Sequence, residues 1–141
     1  MGLNGPDFTM NLELFAEDPK KQESGSPYYL DDGVFYIKRI HTLEYNKQRE
    51  QIKNREYGFS SREVDENLIT AMWLAEFGVT DWDGILDGDK ELKFTRANAN
   101  AVFLNINYRL SLNALLISHA ANYANYLFDE SKEDIEQVKK N

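Results

Sequence analysis

Between residues 61 and 77, apolar side chains recur at steps of three and four. Val64, Leu68, Ala71, Met72 and Ala75 form one stripe, widened by Ile69, Trp73 and Phe77. That spacing is the period of an α-helix with one buried face, and it commits the chain to a core built on helices. Ser60 and Glu63 stand at capping-box spacing ahead of the stripe, and Gly78 offers a C-terminal stop behind it. A second helix is predicted over 43–57, opened by Thr42 and closed by Gly58. Its apolar points are sparse (Leu43, Tyr45, Ile52, Tyr57), which places it on the surface. Thr95 opens a short third helix to about Leu104 or Ile106, using Ala97, Ala101 and Leu104, with Val102 and Phe103 beside them. A last strong helix begins near Ser111, with Leu112, Leu116, Ala120, Tyr123 and Leu127 stepping along one side. The charged tail 129–141 is expected to fray.

The N-terminal third reads differently. Phe8, Met10, Leu12 and Leu14 alternate with polar residues over 7–15, the period of a half-buried strand. Residues 16–27 are polar, hold two of the three prolines and predict a loop. Two β-prone runs, Tyr28–Leu30 and Val34–Ile37, flank Asp31-Asp32-Gly33 and predict a hairpin. Residues 79–93 read as irregular, with Asp87-Gly88 closing a small hairpin between 85–86 and 91–92. The expected fold is therefore α+β and predominantly α-helical: a short N-terminal β-hairpin region followed by about four helices. The expected organisation is an extension at 1–33 carrying a β-strand and flexible loop, a helical domain at 34–128 and a charged tail at 129–141.

Function classes narrow by elimination. The 141 residues contain no Cys and two His, so thiolate zinc sites, cysteine nucleophiles and multi-histidine centres are excluded. No apolar run spans a membrane and no signal-peptide pattern opens the sequence, which predicts a soluble cytosolic protein. The net charge of −8 is uneven: −5 over 1–33, +4 over 34–62, −8 over 63–91, +3 over 92–128 and −2 over 129–141. The acidic blocks argue against general nucleic-acid binding. Asp81, Asp83, Asp87, Asp89 and Glu91 invite a calcium-loop reading. A loop starting at Asp83 puts Ile85 at position three and Phe94 at position twelve, and one starting at Asp81 puts Ile85 at five, so the pattern fails. His119 falls within an amphipathic helix, as a packed histidine would. Neither a nucleophile elbow nor a phosphate-binding glycine loop is present. The expectation is a protein without enzymatic activity, cofactor or metal. Seven Asn between residues 98 and 125 form a candidate hydrogen-bonding face.

From Phe35 to Phe128 the chain resembles the tail assembly chaperones of long-tailed bacteriophages. The resemblance rests on Phe35-Tyr36-Ile37-Lys38-Arg39-Ile40-His41-Thr42-Leu43-Glu44-Tyr45, then Leu74-Ala75-Glu76-Phe77. It continues through Val79-Thr80-Asp81-Trp82-Asp83-Gly84-Ile85 to Leu92-Lys93-Phe94-Thr95-Arg96-Ala97-Asn98-Ala99. It implies a mostly helical, non-enzymatic protein that acts in the host cytoplasm and is absent from the mature virion. Its partner would be the tape measure protein, which it coats and keeps soluble while tail tube subunits are recruited. The 33-residue extension departs from the simplest family pattern.

A chaperone for an apolar helix needs hydrophobic side chains that are exposed or exposable. Met72, Trp73, Phe77, Trp82, Phe94, Phe103 and Tyr123 are the candidates for client binding or core, in a groove framed by the helices at 61–77 and 108–128. Partners expected are the tape measure protein, the tail tube protein and a second copy of the chain, with no nucleic acid and no membrane. Other readings are an acidic DNA-mimic inhibitor of a nucleic-acid enzyme, motivated by the −8 block at 63–91, and a structural tail or neck subunit.

Overall fold

The computed structural model describes residues 10–59 and 62–140, apart from the side chains of 136–140. The fold is α+β and predominantly helical. In chain order the elements are α1 (Pro19–Ser24), β1 (Ser26–Leu30), β2 (Gly33–Ile37), α2 (Leu43–Tyr57), α3 (Glu66–Trp73) and β3 (Val79–Asp83). They continue with β4 (Leu86–Asp87), β5 (Lys90–Glu91), α4 (Arg96–Phe103), α5 (Leu112–Ala121) and α6 (Asp129–Lys140). Both predicted hairpins form: β1 pairs with β2 across Asp31-Asp32, and β4 with β5 across Gly88. The helix at 43–57 has the predicted bounds, with Thr42 Oγ1 accepting from Tyr45 N and Gly58 as its C-cap.

A third strand was not anticipated. β3 pairs antiparallel with β2, giving the order β1-β2-β3. Its alternation is broken by a bulge: Phe35 faces Trp82, Tyr36 faces Asp81 and Ile37 faces Val79, so Thr80 is the extra residue. Val79 and Trp82 therefore lie three apart in sequence and still share the buried face, which hides the period of two. That face carries Tyr28, Phe35, Ile37, Val79 and Trp82, and α3, α4 and α5 supply Ile69, Trp73, Ala99, Phe103, Leu116 and Ala120 against it.

The link from α3 to β3 is one π-turn, Leu74–Gly78. It lets the chain pass from helix to strand with no loop between, at the cost of regular carbonyl pairing. Arg96 Nη1 donates to Ala75 O (2.9 Å) and Val79 O (2.8 Å), while Lys38 N donates to Gly78 O (2.8 Å). Gly78 is required at the joint because a Cβ there would enter the Trp73 ring. Gly25, at φ +90°, meets the same limit: its Cβ would lie 2.7 Å from Ile37 N.

Several expectations are corrected. Of the strand proposed at 7–15, residues 7–9 lie outside the described residues, and Leu12–Phe15 form a 3-10 turn instead. Asn11 accepts from Glu13 N and starts that turn, a local bond that competes with strand pairing. The loop at 16–27 contains α1, capped by Asp18 with Pro19 at its first position, and residues 26–27 belong to β1. Ser60 and Ser61 lie outside the described residues, and α3 starts later than proposed, at Glu66, with Asp65 as its cap. Ala97 and Ala101 are exposed in α4, whose inner face is Ala99 and Phe103. The last helix of the core stops at Ala121, where Asn122 begins a 3-10 turn, Tyr123–Tyr126. The tail expected to fray is helical to Lys140, and Ile135 packs on Ala124 and Leu127. Ile52, on the helix assigned to the surface, is fully buried.

Residues 17–21 are tied to the chain around Tyr126–Asp129. Asp18 N donates to Tyr126 O (2.8 Å), Glu17 bridges to Leu127, and the buried Lys21 ammonium donates to Leu127 O (2.6 Å) and Asp129 Oδ1 (2.7 Å). His119 joins α5 to β1 beside this clasp. Asn125 Nδ2 donates both to His119 O (2.9 Å) and to Nδ1 (3.1 Å), so the ring proton sits on Nε2, 3.0 Å from Ser26 Oγ. Tyr28 lies 4.8 Å from the ring centre. Burial, with Lys132 and Lys21 adding positive potential, lowers the imidazole from 6.5 to about 4.

Two predictions follow from these contacts. Replacing Gly78→Ala should cost about 1–3 kcal/mol in urea unfolding, because Trp73 must leave its packed position. For His119, between pH 6.5 and about 4 the unfolded chain takes up a proton that the folded chain refuses. Stability is complete above pH 6.5 and falls as the pH drops through that window, by about 1–2 kcal/mol once solvent screening is allowed for. Unfolding free energies measured from pH 7.5 to 4 should show this slope in the wild type and lose it in His119→Gln.

Candidate functional site

The seven sequence candidates do not form one surface. Trp73, Trp82 and Phe103 are in the core, while Met72, Phe77 and Phe94 are partly buried against it. Trp82, Phe94 and Phe103 meet in one aromatic cluster at centroid distances of 5.0 and 6.0 Å from Trp82, whose Nε1 donates to Leu92 O (2.7 Å). Trp73 stands apart, edge-on to Tyr45 at 4.8 Å and donating to Gln48 Oε1 at 2.9 Å. Tyr123 alone of the seven is exposed, at 37%. Both indoles thus spend their polar atom and their area inside the fold.

Exposed apolar area lies where periodicity did not point. The connection from α4 to α5 displays Ile106 (76% exposed), Tyr108 and Leu110 (80%), and Leu115 continues the patch onto α5. The backbone here is a run of hydrogen-bonded turns rather than a floppy loop. Tyr108 N donates to Asn105 O, and Asn113 N to Tyr108 O. Asn105 Oδ1 takes Asn107 N, the buried Asn113 amide donates to Phe103 O (2.9 Å), and Arg109 donates to Leu104 O (3.2 Å). The strict alternation Ile106, Tyr108, Leu110 is the signal that sequence reasoning passed over. The asparagine-rich face resolves into structural roles, since Asn98, Asn105, Asn113, Asn122 and Asn125 all bond the backbone locally.

Two clefts border these elements. One, of about 330 Å³, lies where β2 meets α2, lined by Lys38, Arg39, Glu44, Gln48 and Trp73 among others. Its charges are engaged with one another: Lys38 with Glu44 (2.8 Å), Arg39 with Glu17, and Gln48 with Glu44 (3.0 Å). The hydrogen bond from Lys38 holds the Glu44 carboxyl below its usual value. The other, a groove of about 490 Å³, runs between the Leu12–Phe15 turn and α6, lined by Leu14, Ala16 and Phe128 with Glu13, Glu130 and Asp134.

The acidic block 63–91 is divided. Glu66 pairs with Arg49, Glu76 with Arg55 (2.7 Å), and Asp65 approaches Arg109 (4.0 Å), while Asp81, Asp83, Asp87, Asp89 and Glu91 are exposed along β3, β4 and β5. Glu76 in turn raises the Arg55 guanidinium above its usual value through their hydrogen bond. Among the described residues no group of three or more His, Asp or Glu converges as a metal site would, and no helix is long and apolar enough to cross a membrane.

Comparison with known proteins adds one finding. No curated protein and no solved structure matches the chain. A family profile described as YdaY prophage protein matches residues 40–140, from the end of β2 through α6. That stretch holds the core helices, the exposed α4–α5 connection and one wall of the acidic groove. The protein is phage-derived, and the chain belongs to the YdaY prophage protein family.

Proposed function

We propose that this protein is a tail assembly chaperone: a non-enzymatic protein of the host cytoplasm that binds the tape measure protein, keeps it soluble and leaves before the virion is complete. The observation that carries the reading is the exposed apolar run Ile106, Tyr108, Leu110 and Leu115, held in a fixed backbone on a phage-derived protein of net charge −8. Leucine and isoleucine at 76–80% exposure stabilise nothing in the monomer. They offer an apolar helix of the client a place to bury its own stripe, and the overall negative charge keeps the complex in solution. The client surface is assigned to this run and no longer to the tryptophans, which the core consumes. Its segment, 92–128, contains no carboxylate, so contact with an apolar client desolvates little charge.

A DNA-mimic inhibitor would need its carboxylates free and regularly spaced, whereas three acids of the 63–91 block face arginines. Salt separates the two readings, because charge mimicry weakens steeply with ionic strength and apolar docking does not.

Co-expression with a tape measure segment from the same prophage tests the proposal. The wild type should carry that segment into the soluble fraction. Ile106→Ser combined with Leu110→Ser should reduce the yield about fivefold or more, while unfolding free energy shifts by less than about 0.5 kcal/mol, as expected of surface positions. A segment that stays insoluble with the wild type ends the proposal.

A further inference from the structure

The groove between the Leu12–Phe15 turn and α6 differs in chemistry from the α4–α5 connection. Leu14, Ala16 and Phe128, the last 45% exposed, supply its apolar surface, with Asn11 and the buried Ser131 beside them. Its rim is anionic, with Glu13 on one wall and Glu130 and Asp134 on the other. Glu130 and Asp134 are four residues apart on α6 and so stand one above the other along the groove. Among the described lining residues there is no cation, and the nearest buried one, Lys21, is occupied by Leu127 O and Asp129.

The walls are held at a fixed separation. The Glu17–Leu127 bridge and the Asp18 N to Tyr126 O bond clamp the turn to the base of α6, and Ile135 anchors the helix from its other side. A cleft that sets three apolar side chains among three carboxylates, with no cation among its described lining residues, is complementary to a helix that pairs an apolar stripe with cations. We infer that this groove binds an amphipathic helix of a partner protein whose apolar stripe is flanked by Lys or Arg four residues apart. The inference stands apart from the chaperone reading, since it uses neither Ile106 nor Leu110.

The full-length protein can be titrated with a synthetic helical peptide of roughly 18 residues, with Leu on one face and Lys flanking it. A twin carrying Glu in place of Lys is the comparison. The Lys peptide should bind at least about tenfold more tightly than its twin and move the amide resonances of Leu14, Phe128 and Asp134. Glu130→Lys with Asp134→Lys should erase or reverse that preference, Phe128→Ser should weaken binding of both peptides, and Ile106→Ser with Leu110→Ser should leave the affinity unchanged. Equal affinity for the two peptides, resonance changes confined to 106–115, or an unaltered preference after charge reversal overturns the inference. So does a dimer in sedimentation that Phe128→Ser dissolves, because the occupant would then be a second copy of the chain.

Discussion

The joint at Gly78 is the constraint from which the rest of the architecture follows. Five residues in a π-turn carry the chain from a buried helix into the third strand of a sheet whose other two strands, Ser26–Leu30 and Gly33–Ile37, precede α2 and α3. The turn works because three things coincide: a glycine that lets Trp73 close over the backbone, an arginine from α4 that takes up two carbonyls, and a bulge that sets Val79 and Trp82 on one face. Arg96 does this from the first turn of α4, so the same residue that completes the π-turn also fixes where α4 lies. With α4 placed, Phe103 reaches Phe35 and Trp82, and the core closes.

What the sequence revealed, and what it hid, divides along physical lines. Elements whose signal is local were readable. Thr42 and Thr95 cap helices as their side chains dictate, and the two-residue turns Asp31-Asp32 and Gly88-Asp89 make both hairpins. Elements decided by distant partners were not. β3 lacks alternation because its bulge exists only in register with β2. The face of α4 was inverted because Ala97, Ala99 and Ala101 are alike in hydropathy, and only Phe103 and the sheet choose among them. Beyond Met10 the alternating pattern gives way to a local bond, with Asn11 drawing Leu12–Phe15 into a 3-10 turn. Residues 129–140 looked too charged to fold, yet one isoleucine on the inner face seats the helix against Ala124 and Leu127.

The candidate site was less legible than the fold. Aromatic residues attract attention as binding groups, but in a chain of this size the largest side chains are needed to fill the interior. Trp73 and Trp82 went there, each with its indole N–H satisfied. Among the apolar groups left outside, Leu12, Ile106, Tyr108 and Leu110 lie on turns where helical periodicity says nothing. They divide by charge as well, one patch within a stretch free of carboxylates and one ringed by them. The family match, over residues 40–140, takes in the α4–α5 connection and α6 but not the Leu12–Phe15 turn.

The clasp around Lys21 also sets a timetable for synthesis. Its two acceptors, Leu127 O and Asp129, lie 106 and 108 residues further along the chain. A ribosome must deliver residues 127–129 before that ammonium finds its seat, and β1 cannot rest against His119 until α5 has left the exit tunnel. Such long-separation contacts make for high contact order and slow final consolidation.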